Sequence, residues 1–514
     1  MNKQRKLRVM AAIAVMLVAS LNLHAQVNRA VQRATNNATN RVVNNAANNA
    51  ANATNQAVNS AMSTSGQQQS SSNQSSSNQP AAAPAQASAP APSGAVYYVS
   101  ANTGNNQNDG SKGSPFKNLQ KAIDVAPDGA TIYVAEGNYY GLLNKGNINV
   151  TKPVQIYGGY SSDFSVRNVL QYLTMIQPPY SAMGTASGQG TVNIQVKKAN
   201  TLVLIDGLIF ERGLTIAYDN KGEGRPEGVE SAMAAPVTVA GKAGQNFEIS
   251  EAKTVQTSTL YLDNISCDLT VRNCAFINST FYGIIGTVQG TNVNITNCVF
   301  INNRFAAVEI NGGTPTKFAE VNFSYNTVLF SWSRMKDFED MGYGFRYGTR
   351  TNGYVTNNII GLSIFGGLDR ARIDADKTRE SQRKSTAENN IFFLNKQGDL
   401  NLPGSGKFLR VDVADFGDVY QLTSVSGNKA MTDPDIFKGV INEPYLKGFL
   451  SASYSESTDF DRNSAANQWR QLAGLNMQGT IQSSATMFFN RYPWREALKF
   501  FGAMQGYGAQ AIQN

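Results

Sequence analysis

"ITNCVFINN" at residues 295–303 echoes "VRNCAFINS" at residues 271–279, 24 residues earlier. That step is too short for a duplicated domain and too long for a helical heptad. In each copy the Cys and the Phe two positions on (Cys274 and Phe276, Cys298 and Phe300) have one strand parity and so face one side. The Asn before each Cys reads as a corner, since Asn tolerates left-handed backbone. Looser echoes follow in "YNTVLF" with Asn326, "NNIIGL" with Asn358 and "NNIFFL" with Asn390, and "IDGLIF" places Gly207 at the matching corner upstream. From Asn273 the steps are 24, 29, 32 and 32 residues. About 24 residues supply roughly three short strands and three corners, one coil of a parallel β-helix. Equivalent residues then stack about 4.8 Å apart, so corner Asn side chains pair in ladders and the extra residues of later coils leave as loops. A β-sandwich, the competing all-β fold, does not account for same-face motifs at this period.

These repeats resemble the right-handed parallel β-helix, or pectin-lyase-like, superfamily, in the form of an exported bacterial β-helix repeat protein. "VYYVSANTGNNQNDGSKGSPFKNLQKAIDVAPDGATIYVAEGNY" (96–139) resembles the opening of many such proteins. It reads as a first strand, a polar turn at Asp109-Gly110, then Ser114-Pro115-Phe116, a capping helix through Leu119, Ala122 and Ile123, and the first coils. "VTKPVQIYGGYSSDF" (150–164) is similar to an early coil. The expected fold class is all-β, a solenoid of roughly a dozen coils over 95–440, with 441–514 as a C-terminal cap or side element. The resemblance implies a fold and no single activity, because the superfamily holds lyases, hydrolases, epimerases, adhesins and inert scaffolds.

The outer parts read differently. Residues 1–25 place Lys3, Arg5, Lys6 and Arg8 before an apolar run, the layout of a secretory signal peptide. Cleavage after Ala25 removes His24, the one histidine in the chain, and with it His-based triads, His acids and His-ligated metals. Residues 26–62 carry Val and Ala at steps of three or four on an Asn-rich background, an amphipathic helix with a thin face that acts as a tether or joins an envelope protein or a second copy. Residues 63–94 form a Ser/Gln/Pro/Ala linker. Seven of the 44 basic residues and none of the 36 acidic ones fall in 1–94, so the net charge of +8 belongs to the leader and is no argument for nucleic-acid binding. No transmembrane span is expected in the mature chain. The protein is expected to be exported, to the periplasm, the outer membrane or the cell surface.

For chemistry, the body lacks the Asp-Asp and His-Gly motifs that the resemblance implies for polygalacturonate hydrolases. "RYPWR" (491–495) is similar to the Arg-x-Pro-x-x-Arg element of pectate lyases but one residue short, and reads as cap packing. The candidate site lies in "SWSRMKDFEDMGYGFRYGTRTNGY" (331–354) and "GGLDRARIDADKTRESQRKSTAE" (366–388), where coils lengthen. Trp332, Tyr343 and Tyr347 offer rings for sugars, and Arg334, Arg346, Arg350, Arg370 and Arg372 offer forks for carboxylates or sulfates. Asp337, Glu339 and Asp340 are candidate calcium ligands. The plain alternative is that the rings are core and the charges a solvated face. Cys267, Cys274 and Cys298 read as buried thiols rather than a disulfide framework. The functional expectation is a non-catalytic scaffold binding an acidic or cell-wall glycan or a protein. A calcium-dependent polysaccharide lyase and a purely structural spacer stand beside it.

Overall fold

The computed structural model describes residues 94–141, 147–178, 186–211, 237–240, 246–249, 256–279, 281–332, 342–396, 398–403, 408–431, 437, 439–453 and 491–513. The expected signal peptide, 26–62 helix and linker, to residue 93, lie outside them. The chain divides into two units, and the elements below belong to the larger, residues 79–416 with 421–514.

The strands stack in three long sheets of ten, nine and nine, each ordered by sequence with parallel neighbours a full coil apart, save that the third closes on the antiparallel pair Leu400–Pro403 and Phe408–Val411. A representative coil runs Asn292–Thr296 on the first face, Val299–Ile301 on the second and Ala306–Gly312 on the third. The next runs Ala319–Ser324, Thr327–Leu329 and Tyr343–Tyr347, and pairs with it in parallel on all three faces. This is a right-handed parallel β-helix, the hand that strand twist imposes on parallel crossovers. Among the described residues eight coils carry all three strands, fewer than the dozen expected; strands Val237–Ala240 and Asn246–Ile249 pair in a separate sheet, and 371–384 lie outside the coils. Among the same residues no helix is long and apolar enough to cross a membrane.

Rungs of matching parity fill the interior. Phe210, Phe276 and Phe300 stack with centroids 4.6 and 4.8 Å apart, and all are fully buried. Cys267, Cys274 and Cys298 are free, buried thiols. Helix Leu119–Val125 buries Leu119, Ala122 and Ile123, and its Gln120 exchanges hydrogen bonds with the backbone of Asn149, closing the first strand edge of the third face.

The corner row departs from expectation by one residue in the later coils. Left-handed backbone runs through Gly207, Asn273, Asn297, Tyr325, Asn357 and Asn389. Asn326, Asn358 and Asn390 sit one position later, on the same rung row as Cys274 and Cys298. Asn358 Oδ1 accepts the Asn326 N–H (2.8 Å), Asn390 Oδ1 accepts the Asn358 N–H (2.9 Å), and each Nδ2 donates to a first-face carbonyl. The two adjacent positions select Asn for different reasons, φ at one and a bridging amide at the next. The doubled Asn pairs at 357–358 and 389–390 concealed the shift.

The described part of the tail lies along one face of the stack. Residues Phe437, Tyr445, Phe449, Tyr492 and Phe500 pack against the outward side of the second face, on Ala275, Ile277, Val299, Ile301, Leu329, Ile359 and Ile391. Its backbone is pinned to several coils. Tyr492 N–H donates to Asn278 Oδ1 (2.8 Å), Ala509 N–H to Thr327 Oγ1 (2.9 Å) and Gly508 N–H to the Asn357 carbonyl (2.8 Å). Arg491 Nη2 meets the buried Glu211 carboxylate at 2.7 Å. The "RYPWR" residues therefore serve this strap, with Trp494 partly buried against it.

Candidate functional site

On the third face Val308, Phe345 and Leu368 point inward and are fully buried, so Glu309, Arg346 and Asp369 alternate outward in one rung row that continues to Asn401. Arg346 Nε lies 2.9 Å from Asp369 Oδ2, and Nη1 lies 3.8 Å from Glu309 Oε2. Asp369 has no exposed side-chain surface, and Arg346 keeps 11% of its own. The Arg346 guanidinium also lies 5.2 Å from the Tyr343 ring centroid. This row is a buried charge ladder in which a guanidinium stands between two carboxylates.

Beside it, the segment after strand Gly366–Arg370 folds back on itself through helix Lys377–Gln382. Asp376 caps that helix, accepting from the N–H groups of Thr378 and Arg379. Asp374 holds Arg379 through two contacts of 2.6 and 2.7 Å, and this hydrogen bonding takes its carboxyl down to about 2. Arg350 approaches the same carboxylate at 3.7 Å. Arg370 Nη1 pairs with Glu380 at 2.6 Å. Arg383, which the sequence did not single out, donates to the carbonyls of Thr351, Arg372 and Tyr347 at 2.9–3.0 Å and clasps the segment to the coil. Burial, aided by the neighbouring Arg370, lowers its guanidinium to about 10. Nothing in the alternating charges of 369–384 marks Arg383 apart from its neighbours. Its signal is only the register.

The structure thus sets Arg346, Arg350 and Arg370 each against a carboxylate of this chain, but Arg370 lies in the row of Tyr347 rather than in the outward row of Arg346. Arg372 is exposed, with left-handed backbone. The rings do not form a platform. Tyr343 and Tyr347 are fully buried and Trp332 is 4% exposed, so none presents an open face to a sugar. Tyr347 shares parity with Phe345 and stacks on it at 5.3 Å, and Tyr343 joins an apolar cluster with Tyr282, Ala306 and Phe365. Arg334, Asp337, Glu339 and Asp340 lie outside the described residues, and with them the expected calcium ligands. Among the described residues no group of three or more acidic, Cys or His side chains is placed to hold a metal ion.

Residues 102–411 match the family described as "Protein of unknown function (DUF1565)". The chain belongs to that family. The DUF1565 region opens in the turn after the first strand and ends in the antiparallel strand Phe408–Val411, so it takes in the coils, the charge ladder and the Arg383 clasp. No curated protein matches the sequence. Among solved structures, a rhamnogalacturonan lyase is similar at 14% identity and TM-score 0.35, over 60% of this chain and 70% of its own. Pectate lyase Pel9A is similar at 13% and 0.29, over 61% and 79%, and a pectin methylesterase at 13% and 0.32, over 66% and 93%. The DUF1565 chain is a right-handed parallel β-helix, as its three parallel ladders already establish.

Proposed function

We propose that the protein is an exported, non-catalytic β-helix scaffold that displays its first face to a cell-wall or acidic glycan. The observation carrying this reading is the outward side of that face. Thr270, Asn294, Asn322 and Tyr354 form one outward row, and Thr296, Ser324 and Thr356 form the next. The rows are tied rung to rung, Asn322 Nδ2 to Asn294 Oδ1 at 2.8 Å and Ser324 Oγ to Thr296 Oγ1 at 3.2 Å. Tyr354 and Asn352 both donate to Glu320 at their margin. Hydroxyls and amides held at strand spacing recognise a hydroxylated polymer through hydrogen bonds alone, and such recognition needs no proton-transferring group. The third-face arginines are engaged by carboxylates of the same chain, which supports a structural use for them. The basic and then apolar start of the sequence supports export, and the Ala/Asn-rich 26–62 supports tethering in the envelope.

The test exposes the purified full chain to pectate, alginate, chondroitin and peptidoglycan. Weak saturable binding is expected, with no rise in unsaturated-uronate absorbance when calcium is present. A robust calcium-dependent rise would overturn the non-catalytic reading in favour of a lyase. Failure to bind any of the four would overturn the glycan reading.

A further inference from the structure

The first face changes character at its N-terminal end. Its outward row there runs Tyr98, Tyr133, Tyr157, Asp206 and Arg272, before reaching Thr296 and Ser324. Asp206, 1% exposed, accepts from Arg167 Nη2 at 2.6 Å and from Arg272 Nε at 2.7 Å, and Asn273 Nδ2 adds a third bond at 2.9 Å. One carboxylate thus serves two guanidiniums, and one positive charge is left over. Arg167 spends its Nε on the Gly158 carbonyl and stands 5.7 and 6.0 Å from the Tyr157 and Tyr160 ring centroids. Arg272 is 23% exposed, and its Nη1 and Nη2 meet no acceptor among the described residues. Among the loop acids, Glu136 accepts from the Ser162 hydroxyl and Asp163 from Ser161 and Ser165.

We infer that this end of the first face is a binding site for a uronic-acid oligosaccharide, its carboxylate on the Arg272 fork and a sugar ring further along the same oligomer, three rungs away, on Tyr133 and Tyr160. The inference rests on the scaffold reading above and gives it a place and a ligand class. Three chemistries meet in one line. A guanidinium already fixed through Nε presents its remaining N–H groups in a geometry suited to a carboxylate. Tyr133 and Tyr160, part-exposed with centroids 4.8 Å apart, supply apolar ring surface on one side of it. The Thr296 and Ser324 hydroxyls supply hydrogen bonds on the other. A linear polymer of rings that carry both carboxylates and hydroxyls satisfies all three at once, whereas an acidic peptide leaves the hydroxyl row unused. Residues 1–94 contain no acidic side chain, so the leader supplies no anion to this site.

Calorimetry of the full chain with a short oligogalacturonate, its methyl ester and an oligoglutamate peptide tests this. Arg272→Lys keeps the charge but removes the fork, and should weaken oligogalacturonate binding by about tenfold or more, the worth of a charge-assisted hydrogen bond. Tyr133→Ala should weaken it several-fold, and the methyl ester should bind wild type as poorly as the acid binds Arg272→Lys. Both variants are compared by Tm first. If Arg272→Lys destabilises the fold, Tyr133→Ala and the ester still decide. Wild-type affinity in both variants, with binding intact, would move the ligand elsewhere on the scaffold and overturn this site alone. Stronger, Arg272-dependent binding of oligoglutamate would overturn the sugar assignment. Loss of all polysaccharide binding by the wild type would overturn the scaffold reading and this site with it.

Discussion

Arg346→Ala removes the guanidinium 2.9 Å from a carboxylate that has no exposed surface. Glu309, the other outward carboxylate of the row, is only 15% exposed, so water does not readily replace the missing charge. Breaking a buried pair by deleting one partner costs about 3–5 kcal/mol, because the remaining charge has lost its compensation but not its burial. The cation–π contact with Tyr343 is lost as well. With an unfolding entropy of about 2.1 cal/mol/K per residue and roughly 400 residues in the body, each kcal/mol moves Tm by about 1 °C, so a fall of about 3–5 °C is expected. Arg350→Ala is the internal control. Arg350 is 34% exposed, sits 3.7 Å from Asp374, and that carboxylate keeps its two contacts to Arg379. Its loss should cost about 1 kcal/mol or less. The assay is calorimetric unfolding of the wild type, the two single variants and Arg346→Met/Asp369→Leu, in which the pair is replaced by apolar volume. The double variant should recover most of the loss. Equal Tm changes in Arg346→Ala and Arg350→Ala, or a double variant worse than Arg346→Ala, would refute the account of the row as a buried, mutually compensating structure.

Asn358→Ala leaves the buried N–H of Asn326 and the Phe323 carbonyl without their amide partner, which should cost about 1–3 kcal/mol and lower the urea midpoint. An unchanged midpoint would mean that water fills the ladder. Asp399 gives a pH signature. Burial pushes its carboxyl up to about 6 although Asn395 Nδ2 and the Val413 N–H donate to it. The folded state thus holds a proton that the unfolded chain releases near 4, so stability falls as pH rises from about 4 through 6, by on the order of 3 kcal/mol. Asp399→Asn should abolish that slope, so the variant gains on the wild type between pH 4.5 and pH 7 in urea unfolding. Parallel pH profiles for the two proteins would contradict the shift.

The coil was legible because "NCVFIN" and "NCAFIN" repeat without insertion between residues 273 and 302, where Asn and Phe act locally. The later corners were legible only to within a residue, since Asn at the left-handed position and Asn at the bridging position look alike in a string. The covered second face carried a signal that parity alone did not use. "AFI", "VFI" and "IFF" are apolar at every position, which is how a strand buried on both sides reads. The charge row was not legible at all. Glu309 and Asp369 were never candidates, because loops of unequal length separate them from Arg346 and only rung register brings the three together. The tyrosines misled for a related reason. An aromatic near arginines in sequence can stack on a sugar or fill a core, and Tyr347 was decided by sharing parity with Phe345.

The strap along the second face also has a consequence for length. Its hydrogen-bonding groups meet Asn278, Asn297, Thr327 and Asn357, which stand on four successive levels of the stack, so the tail acts as a ruler with marks at fixed heights. A coil inserted between those levels would displace every later mark by about 4.8 Å, more than a hydrogen bond tolerates. Solenoids gain and lose repeats readily when each unit touches only its neighbours. Here a segment close to the C-terminus counts the units between residues 278 and 357, and this part of the stack is held to one number.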